Sequence, residues 1–216
     1  MLKIVFWDND GILVDTEGLY FAANRDTLAP LGIQLTPEQH HQYSFSSNRG
    51  IWPLLVKKGY DEAMIQALRN ARNRRYLEML RTEPIDVAGA RDVLESLHGR
   101  VRMAMVTSSM KDHLVAIHDR TGFLDLMEFI LANGDYTESK PAPAPYLKAL
   151  EKAGVQPHEA LVIEDSQRGL EAAKAAGIPC WVIPGELTKQ GDFSGARRRL
   201  DSITQVPELI EPMLER

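Results

Sequence analysis

Short apolar runs that end in polar residues recur along the chain and predict buried β-strands. Each run has about four to six residues and is bounded by turn residues, which is typical of strands covered on both faces. The five runs are Lys3–Trp7, Val101–Val106, Phe129–Ala132, Ala160–Ile163 and Cys180–Ile183.

Stretches with helical periodicity lie near these runs and predict helices that pack against the strands. Leu114, Ile117 and His118 share one helix face, and Gly177 is a plausible stop for a helix over Gln167–Ala176. Strands that alternate with helices predict an α/β, Rossmann-like core, with a parallel five-stranded sheet and helices on both faces. Ligands bind such sheets beyond the carboxyl ends of the strands, where the polar clusters of this sequence lie.

The first two apolar runs are separated by about 90 residues, far more than one crossover helix requires. Because the segment from Glu17 to Arg81 is helical in pattern, we predict an inserted α-helical cap domain over residues 17–81. Residues 1–16 and 82–216 then form the α/β core domain.

Two capping signals support helices within this insert. Thr36–Gln39 is typical of a capping box with proline at the first helical position. Asp61 is a candidate cap for a helix that carries Met64, Leu68 and Ala71 on one face. The pair His40-His41 has no companion ligands, so we expect it on the surface.

Composition excludes several classes of function. Of 216 residues, 44% are hydrophobic and 25% charged, and the net charge of −5 lacks the basic excess of nucleic-acid-binding proteins. Arg197–Arg199 is interpreted as a solvated helix face and Cys180 as a core residue. Without an apolar run long enough for a membrane span or a signal peptide, we expect a cytoplasmic protein, a monomer or weak dimer, with no nucleic-acid or membrane partner.

Acidic residues follow two of the predicted strands. Asp8 and Asp10 stand two apart, so their side chains point to the same side, and Glu164 and Asp165 end another strand. If the sheet forms as predicted, these carboxylates converge, and carboxylates so close together require a cation. Hard oxygen ligands with open water positions suit Mg²⁺.

Two further residues fit such a site but are ambiguous alone. Thr107 follows the second strand, where a helix N-cap is the alternative. Lys140 is either a surface lysine or the positive charge that balances the acids and pairs with a phosphate.

Four motifs in this order resemble the haloacid dehalogenase superfamily, in its beta-phosphoglucomutase-like branch of phosphatases and phosphomutases with an inserted helical cap. They are FWDNDGILVDTE (Phe6–Glu17), VTSS (Val106–Ser109), SKPAP (Ser139–Pro143) and VIEDSQRGLEAAKAAG (Val162–Gly177). Each motif is weak alone, whereas four in order with this spacing are specific and span essentially the whole chain.

The resemblance implies a Mg²⁺-dependent phosphatase acting on a small phosphorylated metabolite. Asp8 is then the nucleophile, which becomes an aspartyl phosphate, and Asp10 is the general acid and base. The metal is held by the Asp8 carboxylate, the Asp10 backbone carbonyl and Asp165, with Glu164 in support. Thr107, the Ser108 N–H group and Lys140 bind the transferring phosphoryl oxygens.

The resemblance also assigns substrate contacts to the cap. Arg49 falls where relatives that act on sugar phosphates place an arginine, and a surface arginine is the alternative. Glu17 and Tyr20 lie just past the first motif. The mutases carry a histidine at the position of Tyr20, so this chain favours hydrolysis over phosphoryl transfer to a sugar.

Two positions depart from the family pattern. Ala144 replaces an acid near a helix start, which predicts a less firmly held Lys140 and weaker activity. Asn9 replaces an apolar residue between the two acids, and we expect it to face into the protein and to need a hydrogen-bond partner.

Three alternatives to a phosphatase remain. The first is a beta-phosphoglucomutase, which Tyr20 disfavours. A dehalogenase is disfavoured because its chemistry does not need Asp10, Glu164 or Asp165. The last is a weakly active binding or regulatory protein on the same fold, for which Ala144 is the only hint.

Overall fold

The predicted strands pair into one parallel sheet in a computed structural model that describes residues 1–46 and 50–214. The strands are β1 (Ile4–Trp7), β2 (Arg102–Val106), β3 (Phe129–Leu131), β4 (Ala160–Glu164), β5 (Cys180–Val182) and β6 (Arg198–Arg199). Their order is β3-β2-β1-β4-β5-β6, with every neighbouring pair parallel. The α/β, Rossmann-like fold is therefore confirmed, with six strands instead of the predicted five.

The sixth strand corrects the interpretation of the arginine run. Arg198 and Arg199 pair with Trp181 and Val182 at the edge of the sheet, instead of forming a helix. Both side chains are exposed, and the Arg198 guanidinium lies 5.4 Å from the centre of the Trp181 ring. An edge strand leaves charged side chains in water as readily as a helix does, so exposure alone could not separate the two.

The helix predicted over Gln167–Ala176 is present and spans Gln167–Ala175. In the described part of the chain, four α-helices lie within residues 16–84 and five more pack around the sheet. The α-helices are α1 (Glu17–Leu28), α2 (Pro37–His41), α3 (Trp52–Val56), α4 (Glu62–Thr82), α5 (Ala90–Leu97), α6 (Lys111–Thr121), α7 (Ala144–Ala153), α8 (Gln167–Ala175) and α9 (Val206–Ile210). A π-helical turn spans Gln42–Ser46, and short 3-10 helices span Ala29–Leu31, Phe123–Leu126, Pro157–Glu159, Ile203–Gln205 and Glu211–Met213.

The chain divides into two compact units, residues 1–15 with 85–216 and residues 16–84. In the first unit, β1 is buried on both faces. Val5 and Trp7 pack with Met105 and Leu161 on one side of the sheet, and Phe6 packs with Val162 on the other. Because both faces are covered, the central strands are continuously apolar, which is why they were recognisable in the sequence.

The regular secondary structure in the described residues of the second unit is all helical, and the unit has its own apolar cluster. That cluster contains Leu28, Ile33, Leu35, Ile51, Trp52, Leu55 and Ile65. Both predicted caps are present: Thr36 forms a capping box with Gln39, and Asp61 Oδ1 accepts a hydrogen bond of 2.8 Å from the Met64 N–H group.

The helix capped by Asp61 is α4, in which Met64 is 52% exposed and the neighbouring Ile65 lies in the apolar cluster. The expectation of a surface position for His40 is wrong. His40 is fully buried, with Nε2 3.1 Å from Asn24 Nδ2, because it packs edge-on against the Phe21 ring. The side chain of His41 lies outside the described part of the chain. No helix in the described residues is long and apolar enough to cross a bilayer.

Candidate active site

The site lies in the first unit, where a turn follows β1. The Asp8 N–H group donates to Ile163 O at 3.0 Å, which extends the pairing with β4 by one residue. Gly11 then adopts φ +82°, a left-handed conformation that most residues avoid. A Cβ atom at Gly11 would lie 2.5 Å from Asp165 Oδ2, so the glycine is what lets the two segments approach.

Lys140 is the centre of a buried charge cluster. Its Nζ donates to Asp8 Oδ1 at 2.8 Å, to Glu164 Oε1 at 2.6 Å and to Val106 O at 2.8 Å. The residue is only 3% exposed. The carboxylates of Asp8 and Glu164 raise the pKa of Lys140 above its usual value against the opposing effect of burial, so the ammonium group stays charged. Lys140 is therefore a buried ion-pair partner and not a surface lysine.

Glu164 is held on both oxygens. Besides Lys140, Oε1 accepts a hydrogen bond of 2.9 Å from the Tyr146 hydroxyl, and Oε2 accepts from the Ser166 hydroxyl at 3.1 Å and from the Asp165 N–H group at 3.2 Å. Gly169, in the first turn of α8, leaves the space that this carboxylate occupies. A buried carboxylate with this many donors is fixed in one position.

Three carboxylates meet in this cluster. One oxygen from each of Asp8, Glu164 and Asp165 lies within 4.8 Å of the others, and all three residues are buried. Burial, followed by the charge of Glu164, raises the pKa of Asp8 to about 7. Among the described residues, Lys140 hydrogen-bonds to Asp8 and Glu164, and a cation at this cluster would offset the repulsion between the three carboxylates.

The residues fit Mg²⁺ in the chemistry of their donors. All of them offer carboxylate oxygens, the hard ligands that Mg²⁺ prefers. The missing Cβ of Gly11 admits Asp165 to the turn that carries Asp8. Asp10 is not among the three clustered side chains, and the metal role expected for its backbone carbonyl stays a prediction.

Asp10 occupies a separate environment beside the end of β2. Its Oδ2 accepts a hydrogen bond of 2.5 Å from the Ser109 hydroxyl, with the Thr107 hydroxyl 3.5 Å away. Thr107 is buried, and its Oγ1 accepts from the Ser109 N–H group at 3.0 Å. Ser108 lies between them and is half-buried. Thus Asp8 is paired with the Lys140 ammonium group. Asp10 instead accepts a hydrogen bond from the Ser109 hydroxyl, which can donate to the ionised carboxylate.

The residues predicted to contact substrate from the cap belong to the second unit or lie outside the description. Glu17 begins α1 and is half-buried. Tyr20, one turn further on, has the Arg72 guanidinium 4.5 Å from the centre of its ring and packs edge-on against Tyr76. Arg49 lies outside the described residues. The substrate roles of these three residues stay predictions.

Both departures from the family pattern can be located. Ala144 is the first residue of α7, the helix start that was expected there. Lys140 nevertheless has three hydrogen-bond acceptors, so its position does not depend on an acid at position 144. Asn9 is fully buried, and its Oδ1 lies 2.9 Å from Nε2 of His118, so the expected partner is present.

Three contributors to the site were missed from the sequence. Ser109 lies inside the quoted VTSS motif, and its period-two relation to Thr107 could have suggested a contact with the acids. Tyr146 gave no signal, because an aromatic residue on a helix is usually only core. Gly169 lies in the first turn of α8, and a glycine inside a helix indicates that another group packs closely against that position.

A buried lysine and three acids lie beyond the carboxyl ends of the strands of a parallel α/β sheet, where enzymes of this architecture bind their ligands. Residues 5–183 match the family of haloacid dehalogenase-like hydrolases, and the chain belongs to that family.

Among its relatives, protein CbbY of Rhodobacter capsulatus is 29% identical over 96% of this chain and 99% of its own length. A phosphorylated carbohydrates phosphatase of Thermotoga maritima is 32% identical over 82% of each chain. A crystal structure of a CbbY mutant from Rhodobacter sphaeroides, in complex with xylulose-(1,5)bisphosphate, aligns with a TM-score of 0.83 at 27% identity, covering 95% of this chain and 96% of that chain.

Proposed function

We propose that this protein is a Mg²⁺-dependent phosphatase that hydrolyses a small phosphate monoester, of the sugar-phosphate or phosphoglycolate type, through an aspartyl phosphate on Asp8. The observation that carries the proposal is the different environment of the two acids after β1. Asp8 is buried against Lys140, while Asp10 is bound by the Ser109 hydroxyl. Such a difference is what separates a nucleophile from an acid–base residue.

The first half of the reaction transfers the phosphoryl group to the protein. A carboxylate oxygen of Asp8 attacks phosphorus, and the bond from phosphorus to the substrate oxygen breaks. Asp10, in its protonated form, gives its proton to the departing alkoxide. The Thr107 hydroxyl, the Ser108 N–H group and the Lys140 ammonium group bind the phosphoryl oxygens while charge moves between them.

The second half releases phosphate. Asp10, now ionised, takes a proton from a water molecule, whose oxygen attacks the phosphorus of the aspartyl phosphate. The bond between phosphorus and Asp8 breaks, which restores the carboxylate and frees inorganic phosphate. Asp10 is then protonated again and can act as the acid in the next cycle.

Mg²⁺, held by Asp8, Asp165 and the Asp10 carbonyl with Glu164 in support, supplies positive charge that neutralises phosphoryl oxygens when it is bound. Glu164 is already bound by Lys140, Tyr146 and Ser166, which suits a supporting role in which it fixes the other ligands. We expect activity to disappear with EDTA and to return with Mg²⁺, while Ca²⁺ substitutes poorly because it favours looser, higher coordination.

The direct test is phosphate release from a panel of sugar phosphates and phosphoglycolate, with and without Mg²⁺. Asp8→Asn should lower turnover on the order of 10³-fold or more, which is about 4 kcal/mol of barrier, while the far-UV circular dichroism spectrum stays unchanged. A purified Asp8→Asn variant that keeps a tenth of wild-type turnover would exclude Asp8 as the nucleophile. Full wild-type turnover in chelator would contradict the metal assignment.

The sugar-phosphate class draws support from the relatives, two of which are named for phosphorylated carbohydrates or were crystallised with a sugar bisphosphate. The mutase alternative differs in what attacks the aspartyl phosphate. This chain has Tyr20 where the mutases have a histidine, and histidine is the side chain suited to proton exchange near neutral pH. With beta-glucose 1-phosphate and a trace of glucose 1,6-bisphosphate, we expect free phosphate to form faster than glucose 6-phosphate. The opposite order would favour the mutase.

A further inference from the structure

A chain of buried polar side chains reaches the turn between Asp8 and Asp10 from the opposite face of the sheet. Asn9 Oδ1 lies 2.9 Å from His118 Nε2, and His118 Nδ1 lies 2.7 Å from the Thr121 hydroxyl oxygen. Asn9, His118 and Thr121 are at most 6% exposed. His118 and Thr121 are on α6, the helix that follows the Thr107–Ser109 segment.

The hydrogen-bond roles along this chain follow from the Asn9 end. Asn9 Oδ1 is an amide oxygen that can only accept, so the ring nitrogen that faces it, Nε2 of His118, is the donor. At the other end, the Thr121 oxygen also accepts a hydrogen bond of 3.3 Å from the Phe123 N–H group. Burial lowers the pKa of His118 to about 4, so the ring carries one proton at neutral pH. That proton is on Nε2, which donates to Asn9 Oδ1, and Nδ1 accepts from the Thr121 hydroxyl.

Asn9 is also the main-chain anchor of the turn. Its carbonyl oxygen accepts the N–H groups of Leu13 at 2.8 Å, Val14 at 3.2 Å and Ile12 at 3.3 Å. The side chain of the same residue is bound by His118, so one residue is fixed through both its main chain and its side chain. Asp8 and Asp10 are covalently attached on either side of it, and their carboxylates point the other way, toward Lys140 and Ser109.

We propose that His118 is a positioning residue, which acts through the Asn9 side chain to fix the turn that carries the two catalytic aspartates. The inference rests on the proposed function, since it assigns the chemistry to Asp8 and Asp10. The two acids must keep their orientation relative to the phosphorus atom, and a displacement of about 1 Å at such a site costs on the order of 100-fold in rate. The contacts of His118 in the described residues are with Asn9, Thr121 and the Phe123 ring, so its effect must pass through Asn9.

The test is a double-mutant cycle on Asn9 and His118, with p-nitrophenyl phosphate as the substrate. His118→Phe keeps the ring volume but removes the donor, and we expect kcat to fall by about tenfold or more with KM within about twofold. His118→Gln places an amide N–H group near Nε2 and should recover kcat to within about threefold of wild type. In the Asn9→Leu background, His118→Phe should change kcat by less than about twofold, because nothing remains to transmit its effect.

His113, a second buried histidine of α6, provides the matched control: His113→Phe should leave kcat within about twofold of wild type. Two results would overturn the inference. Wild-type kcat in His118→Phe would show that the ring does not position the acids. An equal loss in both Asn9 backgrounds, or in His113→Phe, would show a general effect on α6 instead of one passed through Asn9.

A measurement without turnover keeps the inference testable if His118→Phe fails to fold. In wild-type protein labelled with ¹⁵N-histidine, imidazole nitrogen shifts should identify the Nε2–H tautomer between pH 6 and 8, whereas the Nδ1–H tautomer or the imidazolium would overturn it. Failure of the proposed function is distinguishable. In that case the wild-type protein releases no phosphate, or Asp8→Asn stays active, whatever the tautomer of His118.

Discussion

Gly169→Ala should lower both stability and activity, although alanine ordinarily improves a helix. Gly169 is in the first turn of α8, where glycine is less favourable than alanine by roughly 0.5–1 kcal/mol. A Cβ atom at this position would lie 1.8 Å from Cδ of Glu164 and 2.0 Å or less from both of its carboxylate oxygens. Ordinary van der Waals contact begins near 3.4 Å. The carboxylate must therefore move by more than 1 Å.

Such a shift breaks the contacts that fix Glu164. The residue is fully buried, and its hydrogen bonds to Lys140 and Tyr146 are 2.6 Å and 2.9 Å long. Separating a buried ion pair costs about 3–5 kcal/mol when one charge is left without its partner. Partial replacement of the lost contacts reduces that cost, so we expect the free energy of unfolding to fall by about 2–3 kcal/mol.

The assay is urea unfolding followed by circular dichroism, together with kcat for phosphate release. Gly18→Ala is the matched control, because Gly18 is also in the first turn of a helix and a Cβ atom there meets nothing within 4 Å. It should be neutral or stabilising by up to about 1 kcal/mol, with unchanged activity. If Gly169→Ala behaves like Gly18→Ala in both measurements, the tight packing of Glu164 has no energetic consequence and the reasoning is wrong.

Three further predictions concern single positions. Gly11→Ala should raise the Mg²⁺ concentration for half-maximal activity several-fold, because the new Cβ would displace Asp165. Gly99 has a similar φ of +76° but lies in open space, so Gly99→Ala should lower stability and leave the Mg²⁺ requirement unchanged. Ala144→Asp should stabilise the start of α7 by about 0.3–1 kcal/mol in thermal unfolding, a gain that 0.5 M NaCl should reduce. His118 has a pKa of about 4 in the folded protein, below its unfolded value, so the stability it contributes is present above pH 6.5 and lost as pH falls toward 4. That loss should be up to about 3 kcal/mol relative to His118→Gln, and equal pH dependence of unfolding in both proteins would contradict it.

Most of the core fold was predictable because β1, β2 and β4 are covered on both faces. Such strands must be apolar throughout, and the turn residues after them mark their ends. The two-residue strand β6 was not predictable, since its pairing depends on the position of β5 and its side chains are exposed. His40 was misplaced for a related reason: its burial comes from Phe21 and Asn24, which are distant in sequence.

Some residues of the candidate site could likewise be predicted from the sequence, and others could not. Asp8, Thr107 and Glu164 were recognisable because each stands at the end of a strand, and the ends of parallel strands share one edge of a sheet. The contact of Tyr146 with Glu164 and the space left by Gly169 depend on how α7 and α8 pack, which periodicity does not specify. The partner of Asn9 could be anticipated as a need, but not as His118, because 109 residues separate the two.

The central claim is that Asp8 carries the phosphoryl group, and chemical trapping tests it most directly. The Asp10→Asn variant lacks the base for the second step, while p-nitrophenol is a good leaving group that needs little acid assistance, so the aspartyl phosphate should accumulate. After an acid quench, borohydride reduces an aspartyl phosphate to homoserine, which mass spectrometry locates in the tryptic peptide of residues 4–25. We predict homoserine at position 8 in Asp10→Asn and none at position 8 in Asp8→Asn. Release of p-nitrophenol by Asp10→Asn without homoserine at position 8 would contradict the account.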